Sequence, residues 1–130
     1  MAKKPNEKDL GARERQIMDV IYQLGEAAVG DVRERLPNPP SYSSVRTMIR
    51  HLEGKGLLKH RQDGARYVYW PVRSRESASR SALRHVLATF FGGSAPDAVA
   101  AILDVSAETL DQQDLKRIKQ MIDQARKEGQ

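Results

Sequence analysis

The residues best suited to bind another molecule are Arg46 and Arg50, which lie four positions apart in a segment with helical spacing. Side chains at that separation share one face of an α-helix, so both guanidinium groups would project together. A guanidinium group can donate two parallel hydrogen bonds to a guanine edge, and Thr47 can contact a thymine methyl group. The pattern favours a helix that reads base pairs in a major groove over a helix whose arginines are only solvated.

The positive charge of the chain is concentrated around these two arginines. The sequence has 130 residues and a formal net charge of +5. Residues 41–73 hold seven Lys or Arg residues against two acidic ones, whereas residues 1–40 and 74–130 are each balanced. Every basic side chain that contacts a phosphate group releases condensed counterions. The segregation of charge therefore favours a polyanionic partner over a solvated charged face.

Other kinds of chemistry have little support in the sequence. The chain has no cysteine, which excludes disulfides, thiolate metal sites and cysteine nucleophiles. His51, His60 and His85 are isolated, and there is no metal-binding histidine motif, nucleophile elbow or phosphate loop. The Gly92-Gly93 pair is interpreted as a break between helices. We expect no enzyme activity, no metal site and no cofactor.

The sequence contains no segment typical of export or membrane insertion. Residues 1–9 are polar and charged and lack the apolar stretch of a secretory signal. The longest aliphatic run, residues 98–103, is far shorter than the roughly 20 residues that cross a bilayer. We therefore expect a cytoplasmic protein with no membrane insertion.

Apolar spacing predicts three helices in the first half of the chain. Residues 11–24 and 29–36 each place apolar side chains at three- and four-residue intervals. The prolines of residues 37–40 form a stiff turn. A third helix then begins near Ser41 or Ser43, since serine is a good N-cap residue. This helix would run to about Lys55, with its apolar positions Val45, Ile49 and Leu52 facing the core.

A basic β-hairpin is predicted directly after the third helix. Residues 58–62 and 65–71 would form its strands, and Asp63-Gly64 would form the turn, because Asp-Gly is a strong hairpin signal. A two-stranded wing beside a recognition helix contacts phosphates or the minor groove. The aromatic residues of the second strand are expected to pack and anchor the wing rather than to stack on bases. The basic residues of the hairpin are Lys59, Arg61 and Arg66.

The second half of the chain is predicted to be entirely helical. Residues 77–91, 95–103 and 111–127 have helical apolar spacing, and the first two are separated by Gly92-Gly93-Ser94. These segments are too small for a core of their own, so we expect them to bury their apolar faces against a second copy of the chain. The predicted dimer-interface residues are Leu83, Val86, Leu87, Phe90, Phe91, Val99, Ile102, Leu103, Leu115, Ile118, Met121 and Ile122.

The predicted fold class is mainly α with a small β-hairpin wing. Residues 8–73 would form a winged helix-turn-helix DNA-binding domain, and residues 74–127 an all-helical dimerisation region.

Four segments of the sequence resemble the penicillinase-repressor, methicillin-resistance and copper-repressor family of bacterial winged-helix transcriptional regulators. They are residues 10–18 (LGARERQIM), residues 42–58 (YSSVRTMIRHLEGKGLL), residues 64–71 (GARYVYWP) and residues 90–94 (FFGGS). The similarity extends over about residues 10–125.

This resemblance implies a homodimeric repressor that blocks a promoter by binding two half-sites of a near-palindromic operator. Ser43, Ser44, Arg46 and Thr47 would then enter the major groove, and Arg66 would lie on the backbone with the rest of the wing. The full set of candidate DNA-binding residues is Ser41, Tyr42, Ser43, Ser44, Arg46, Thr47, Arg50, Lys59, Arg61 and Arg66.

The sequence departs from the family in the residues that carry its regulation. Copper-responsive members have paired cysteines near the C-terminus, and this chain has none. Antibiotic-responsive members are cut by a membrane metalloprotease sensor at an Asn-Phe step, and the aligned pair here is Ala101-Ile102. The resemblance therefore implies such a sensor as a partner, but the changed pair disfavours it.

Two alternative functions use the same fold. A winged-helix adaptor would bind protein or RNA, but it would be expected to present apolar side chains where Arg46, Thr47 and Arg50 lie. A transcriptional activator would bind DNA in the same way and differ only in where its site lies relative to the promoter.

Overall fold

Within residues 10–129, the part of the chain that the computed structural model describes, six helices and a two-stranded antiparallel sheet follow one another. The predicted start of the first domain at residue 8 lies outside these residues. The chain divides into two units, one ending at Arg80 and the other beginning at Ser81. The elements are α1 (Ala12–Leu24), α2 (Val29–Arg35), α3 (Tyr42–Gly54), β1 (Leu58–Asp63), β2 (Arg66–Pro71), α4 (Arg75–Phe90), α5 (Ala95–Val105) and α6 (Gln112–Glu128).

The core of the first unit is formed by the apolar stripes of α1, α2 and α3 together with the hairpin. Full burial of such aliphatic side chains contributes roughly 1.5–3 kcal/mol each to folding, and it holds the apolar faces of the three helices together. The most completely buried side chains of this core are Ile17, Met18, Ile21, Val32, Val45, Ile49, Leu52 and Leu58.

The hairpin turn lies one residue later than the sequence predicted. Asp63 pairs with Arg66 across the sheet, so the two loop residues are Gly64 and Ala65. Gly64 has a φ of 64°, whereas Ala65 keeps a negative φ. A loop with a positive φ only at its first position needs a single glycine there. A turn centred on Asp63-Gly64 would have forced positive φ on the aspartate as well.

A short third strand-like contact, which the sequence analysis missed, joins the hairpin to the segment before α2. The Ala27 amide donates to the Tyr69 carbonyl over 2.9 Å, and the Tyr69 amide donates to the Ala27 carbonyl over 2.8 Å. Both residues are buried. The bridge therefore fixes the wing against the helical part of the first unit.

The second unit consists of helices with very little interior. Gly92 and Gly93, with φ values of 56° and 81°, end α4, and the Gly93 amide donates to the Leu87 carbonyl over 2.8 Å. Asp111 caps α6 by accepting from the Asp114 amide over 2.8 Å. Among the described residues of this unit, only Ala98 is buried. Its apolar faces therefore remain open in a single chain.

No single helix among residues 10–129 is long and apolar enough to cross a bilayer, and α4 and α5 reach that length and hydropathy only when counted together across the bend between them.

Candidate nucleic-acid interface

Helix α3 separates its apolar and polar side chains onto opposite faces. Ser41 caps the helix by accepting from the Ser44 amide over 3.2 Å. Val45, Ile49 and Leu52 are 0% exposed against α1, α2 and the hairpin. Because that stripe is fully buried, the other side of the helix faces solvent. The residues exposed there are Ser43, Arg46, Thr47 and Arg50.

Both arginines of this face are available to bind a partner. Within residues 10–129, neither Arg46 nor Arg50 makes a hydrogen bond or an ion pair. The Thr47 hydroxyl donates to the Ser43 carbonyl over 2.9 Å, so the methyl group is the part of this exposed side chain left for a partner. The face therefore combines two free guanidinium donors with one small apolar group, which are the side-chain types that read guanine edges and thymine methyl groups.

The serines at the start of α3 form a small network of their own. The Ser41 hydroxyl donates to Ser44 Oγ over 2.9 Å and lies 3.2 Å from Ser43 Oγ. Ser41 is therefore occupied in capping the helix and ordering its neighbours. Tyr42, the first helical residue, is 56% exposed beside them.

The predicted wing arginines differ in how firmly they are held. Arg61 donates to both carboxylate oxygens of Glu26, over 2.6 and 3.0 Å, and its guanidinium lies 5.8 Å from the Trp70 ring centre. Arg66 lies 3.8 Å from Asp31 and 3.9 Å from Asp63, which are long ion pairs between exposed groups. Such pairs are weak in water. Lys59 is exposed and has no partner among the residues that the structure describes.

A cleft between α3 and the wing brings residues of both elements together. The cleft has a volume of about 330 Å³. Tyr42 and Arg46 line it from the helix, and Arg66 lines it from the wing. Gln62, which the sequence analysis did not single out, and Tyr67, which it expected only to pack, also line the cleft. Donors that converge from two elements suit an anionic strand such as a DNA backbone.

Two further contacts fix the end of α3 against its surroundings. His60 Nδ1 on β1 donates to a carboxylate oxygen of Glu53, and the Lys55 ammonium lies 3.1 Å from a carboxylate oxygen of Glu14 on α1. The His60 ring also lies 5.4 Å from the Tyr69 ring, centre to centre. Burial raises the pKa of Tyr69, so its phenol stays protonated in neutral solution. These contacts hold α3 and the wing in one arrangement.

The part of the chain between residues 10 and 129 has no group of three or more His, Asp or Glu side chains placed to hold a metal ion.

The sequence matches the family model described as penicillinase repressor over residues 10–124. The chain belongs to the penicillinase repressor family. It is therefore a DNA-binding transcriptional regulator with a winged-helix fold.

Several individual proteins are similar to this penicillinase repressor family member. An uncharacterised 16.5 kDa protein from Latilactobacillus sakei is 27% identical over 123 residues, which cover 90% of this chain and 80% of that protein. The complex structure of hsRosR-S1 has a TM-score of 0.59 at 19% identity, covering 80% of this chain and 97% of that one, and shows the shared fold. The solution structure of the DNA-binding domain of the repressor BlaI has a TM-score of 0.48 at 28% identity, covering 57% and 89%.

The ion pair between Arg61 and Glu26 gives this family member a testable pH dependence. The hydrogen bond from Arg61 holds the pKa of Glu26 below its ordinary value of 4.5. Because the folded pKa is the lower one, the pair stabilises the fold fully above the ordinary value and is lost as the pH falls through the folded value. Melting temperatures of wild type and Glu26→Gln should therefore converge on acidification from about pH 5 to about pH 3.

Glu34→Gln is the matched control for this prediction, because Glu34 is exposed on α2 and has no partner among the described residues. That variant should follow the wild-type melting curve at every pH. If the melting temperatures of Glu26→Gln and wild type differed by the same amount at every pH in this range, the acid-sensitive contribution to stability would not come from Glu26.

Proposed function

We propose that the protein is a homodimeric transcriptional repressor that binds a near-palindromic operator, with α3 in the major groove and the wing on the DNA backbone. The observation that carries this proposal is the outer face of α3. Its two arginines are exposed and unpaired within the described chain, while the opposite face is locked into the core. A rigid helix that presents free bidentate donors suits direct readout of base edges.

The arrangement of the remaining cations supports a backbone role for the wing. Lys59 is free to contact a phosphate group, and the long contacts of Arg66 with Asp31 and Asp63 can be exchanged for a phosphate at little cost. Arg61 is held by Glu26 and Trp70, so we assign it chiefly to anchoring the wing. Ser43, Ser44 and Tyr42 flank the arginines at the start of α3 and complete the proposed contact surface. The cap residue Ser41 would belong to the same surface and order it through its hydroxyl contacts with Ser43 and Ser44.

The exposed apolar faces of the second unit support the proposed dimer. Contiguous exposed apolar surface on a folded chain marks an interaction site, and a two-fold dimer is the commonest arrangement that covers such faces. Two-fold symmetry would also match the two half-sites of a near-palindrome. The exposed members of the proposed interface are Leu83, Val86, Phe90, Val99, Ile102, Leu115, Met121 and Ile122, and the half-buried ones are Leu87, Phe91, Leu103 and Ile118.

We propose repression rather than activation because of the family to which the chain belongs. The family is described as a repressor, and a dimer that occupies an operator within a promoter would exclude the polymerase. The proposed domain division is 8–73 for DNA binding and 74–127 for dimerisation.

The experiment that tests this function selects bound sequences from random duplex DNA at about physiological salt, where non-specific binding is weakened. The mass of the free protein is measured by light scattering alongside the selection. A two-fold symmetric motif from a protein of twice the chain mass supports the proposal. Failure to enrich any motif, with binding that disappears as salt rises, would overturn it in favour of an adaptor. Transcription in vitro from a promoter that carries the selected motif then distinguishes repression from activation.

A further inference from the structure

The turn between α2 and α3 depends on outside donors for its shape. It consists of Pro37-Asn38-Pro39-Pro40, and proline has no backbone N–H to donate. Asn38 adopts a φ of 46°, which is uncommon for a residue other than glycine. A turn with so few donors cannot bond its own carbonyl groups, so it needs donors from elsewhere to hold this conformation.

Two arginines on neighbouring helices supply those donors. Arg13 on α1 donates from Nη1 to the Pro37 carbonyl over 2.7 Å and from Nη2 to the Asn38 carbonyl over 3.0 Å. Arg33 on α2 donates from Nε to the Pro40 carbonyl over 2.8 Å. Three of the four carbonyl groups in the turn are therefore held by guanidinium groups.

The contact between Arg13 and the turn depends on the planar shape of the guanidinium group rather than on its charge. Its guanidinium makes no ion pair with an acidic side chain anywhere in residues 10–129. Gln16 Oε1 accepts from Nη1 over 3.1 Å and steadies the side chain along α1. The planar fork of arginine spans two adjacent carbonyl groups at once, whereas the ammonium of lysine acts as a single point charge.

The turn leads directly into the start of α3. Pro40 is followed by the cap residue Ser41, and Arg46 lies only one turn into the helix. A displaced turn would shift the first turn of α3 and its base-reading side chains, while the core stripe of the helix would still hold the fold together. The conformation of the turn therefore affects the position of the first turn of α3 more than it affects the formation of the helix.

We propose that Arg13 is a positioning residue for sequence-specific DNA recognition. It contacts no DNA, and it sets the entry of α3 into the major groove by clamping the Pro37 and Asn38 carbonyl groups. This inference rests on the proposed function of α3.

The test compares Arg13→Lys with wild type on two duplexes of equal length, one carrying the motif selected by the wild-type protein and one of random sequence. Arg13→Lys keeps the charge but loses the fork. The affinity for the selected duplex should fall by about tenfold, within the range expected for one misaligned bidentate base contact. The affinity for the random duplex and the melting temperature should change little. Arg35→Lys, at an exposed arginine of α2 with no partner in the described chain, is the matched control and should leave both affinities unchanged.

Each other outcome overturns the inference. Equal losses on both duplexes would make Arg13 a phosphate contact, and unchanged affinities would make the clamp irrelevant to recognition. If Arg13→Lys does not fold, Arg33→Met, which removes only the donor to Pro40, takes its place with the same expected split. Arg46→Ala separates this failure from failure of the proposed function. If Arg46→Ala keeps the preference for the selected duplex, the assignment of α3 as the base-reading helix is wrong. If Arg46→Ala loses that preference while Arg13→Lys keeps it, only the inference about Arg13 is wrong.

Discussion

Ile102→Asp is expected to convert the protein from a dimer to a monomer and to weaken binding to the selected operator by about a hundredfold or more. Ile102 is 53% exposed in a single chain, so an aspartate there is solvated in the monomer. In the proposed dimer the same carboxylate would be buried against apolar side chains of the second copy, which is strongly unfavourable. A monomer must bind each half-site separately and loses the gain from linked binding. Light scattering measures the mass, and titration of the operator measures the affinity.

Ile102 is chosen for this test because its side chain is exposed in a single chain. Leu87 and Ile118 are half-buried within a single chain, so a charge at either would also disturb the packing of the unit itself. Gln120→Asp on α6 is the matched control, because it adds the same charge at an exposed polar position and should leave the mass unchanged. A dimer of Ile102→Asp with undiminished stability would exclude α5 from the interface.

Much of the fold follows from the periodicity of apolar residues. The spacing of Val45, Ile49 and Leu52 predicts the buried stripe of α3, and those side chains are completely buried. The same regularity predicts the helices of the second half of the chain. The information is local in each case, since one turn of helix repeats the pattern of the one before it.

The hairpin turn shows where local signals are insufficient. The dipeptide Asp63-Gly64 favours a turn by itself, but the register of the sheet is set by the whole strand pair and by the Ala27–Tyr69 bridge. The observed register places Gly64 and Ala65 in the loop, and Tyr69 also pairs with Ala27. Ala27 lies far from the hairpin in sequence, so the preference of a dipeptide for a turn holds no information about this pairing.

The candidate interface shows the same division between local and long-range information. The sequence identifies the basic residues of the third helix and wing, but it treats Lys59 and Arg61 as equivalent. The structure separates them, because Glu26 from the loop before α2 holds Arg61 and leaves Lys59 free. Arg13 belongs to α1 and carries no local signal of its contact with the turn before α3. Side-chain pairings between distant segments depend on the packed fold, which the sequence pattern does not specify.

Arg46→Ala is expected to remove most of the preference for the selected operator while leaving random-sequence binding almost unchanged. A bidentate arginine–guanine contact contributes about 1–3 kcal/mol of discrimination, and a dimer loses one such contact in each half-site, so about 2–6 kcal/mol is lost in all. The side chain is exposed and makes no hydrogen bond or ion pair with another described residue, so its removal should change the melting temperature little. Competition titrations of the two duplexes measure the change in preference, and repeating the selection with the variant shows which base position is relaxed.

Lys59→Ala is the control that gives this result its meaning. Lys59 is also an exposed cation without a partner in the described chain, but it lies on the wing, where the proposed contact is a phosphate group. Its removal should weaken binding to both duplexes alike and reduce the salt dependence by about one ion for each copy. If Arg46→Ala produced that same uniform loss, Arg46 would be a backbone contact and α3 would not read the operator sequence. The opposite responses of two unpaired cations in one protein are therefore the sharpest evidence for a base-reading helix beside a backbone-binding wing.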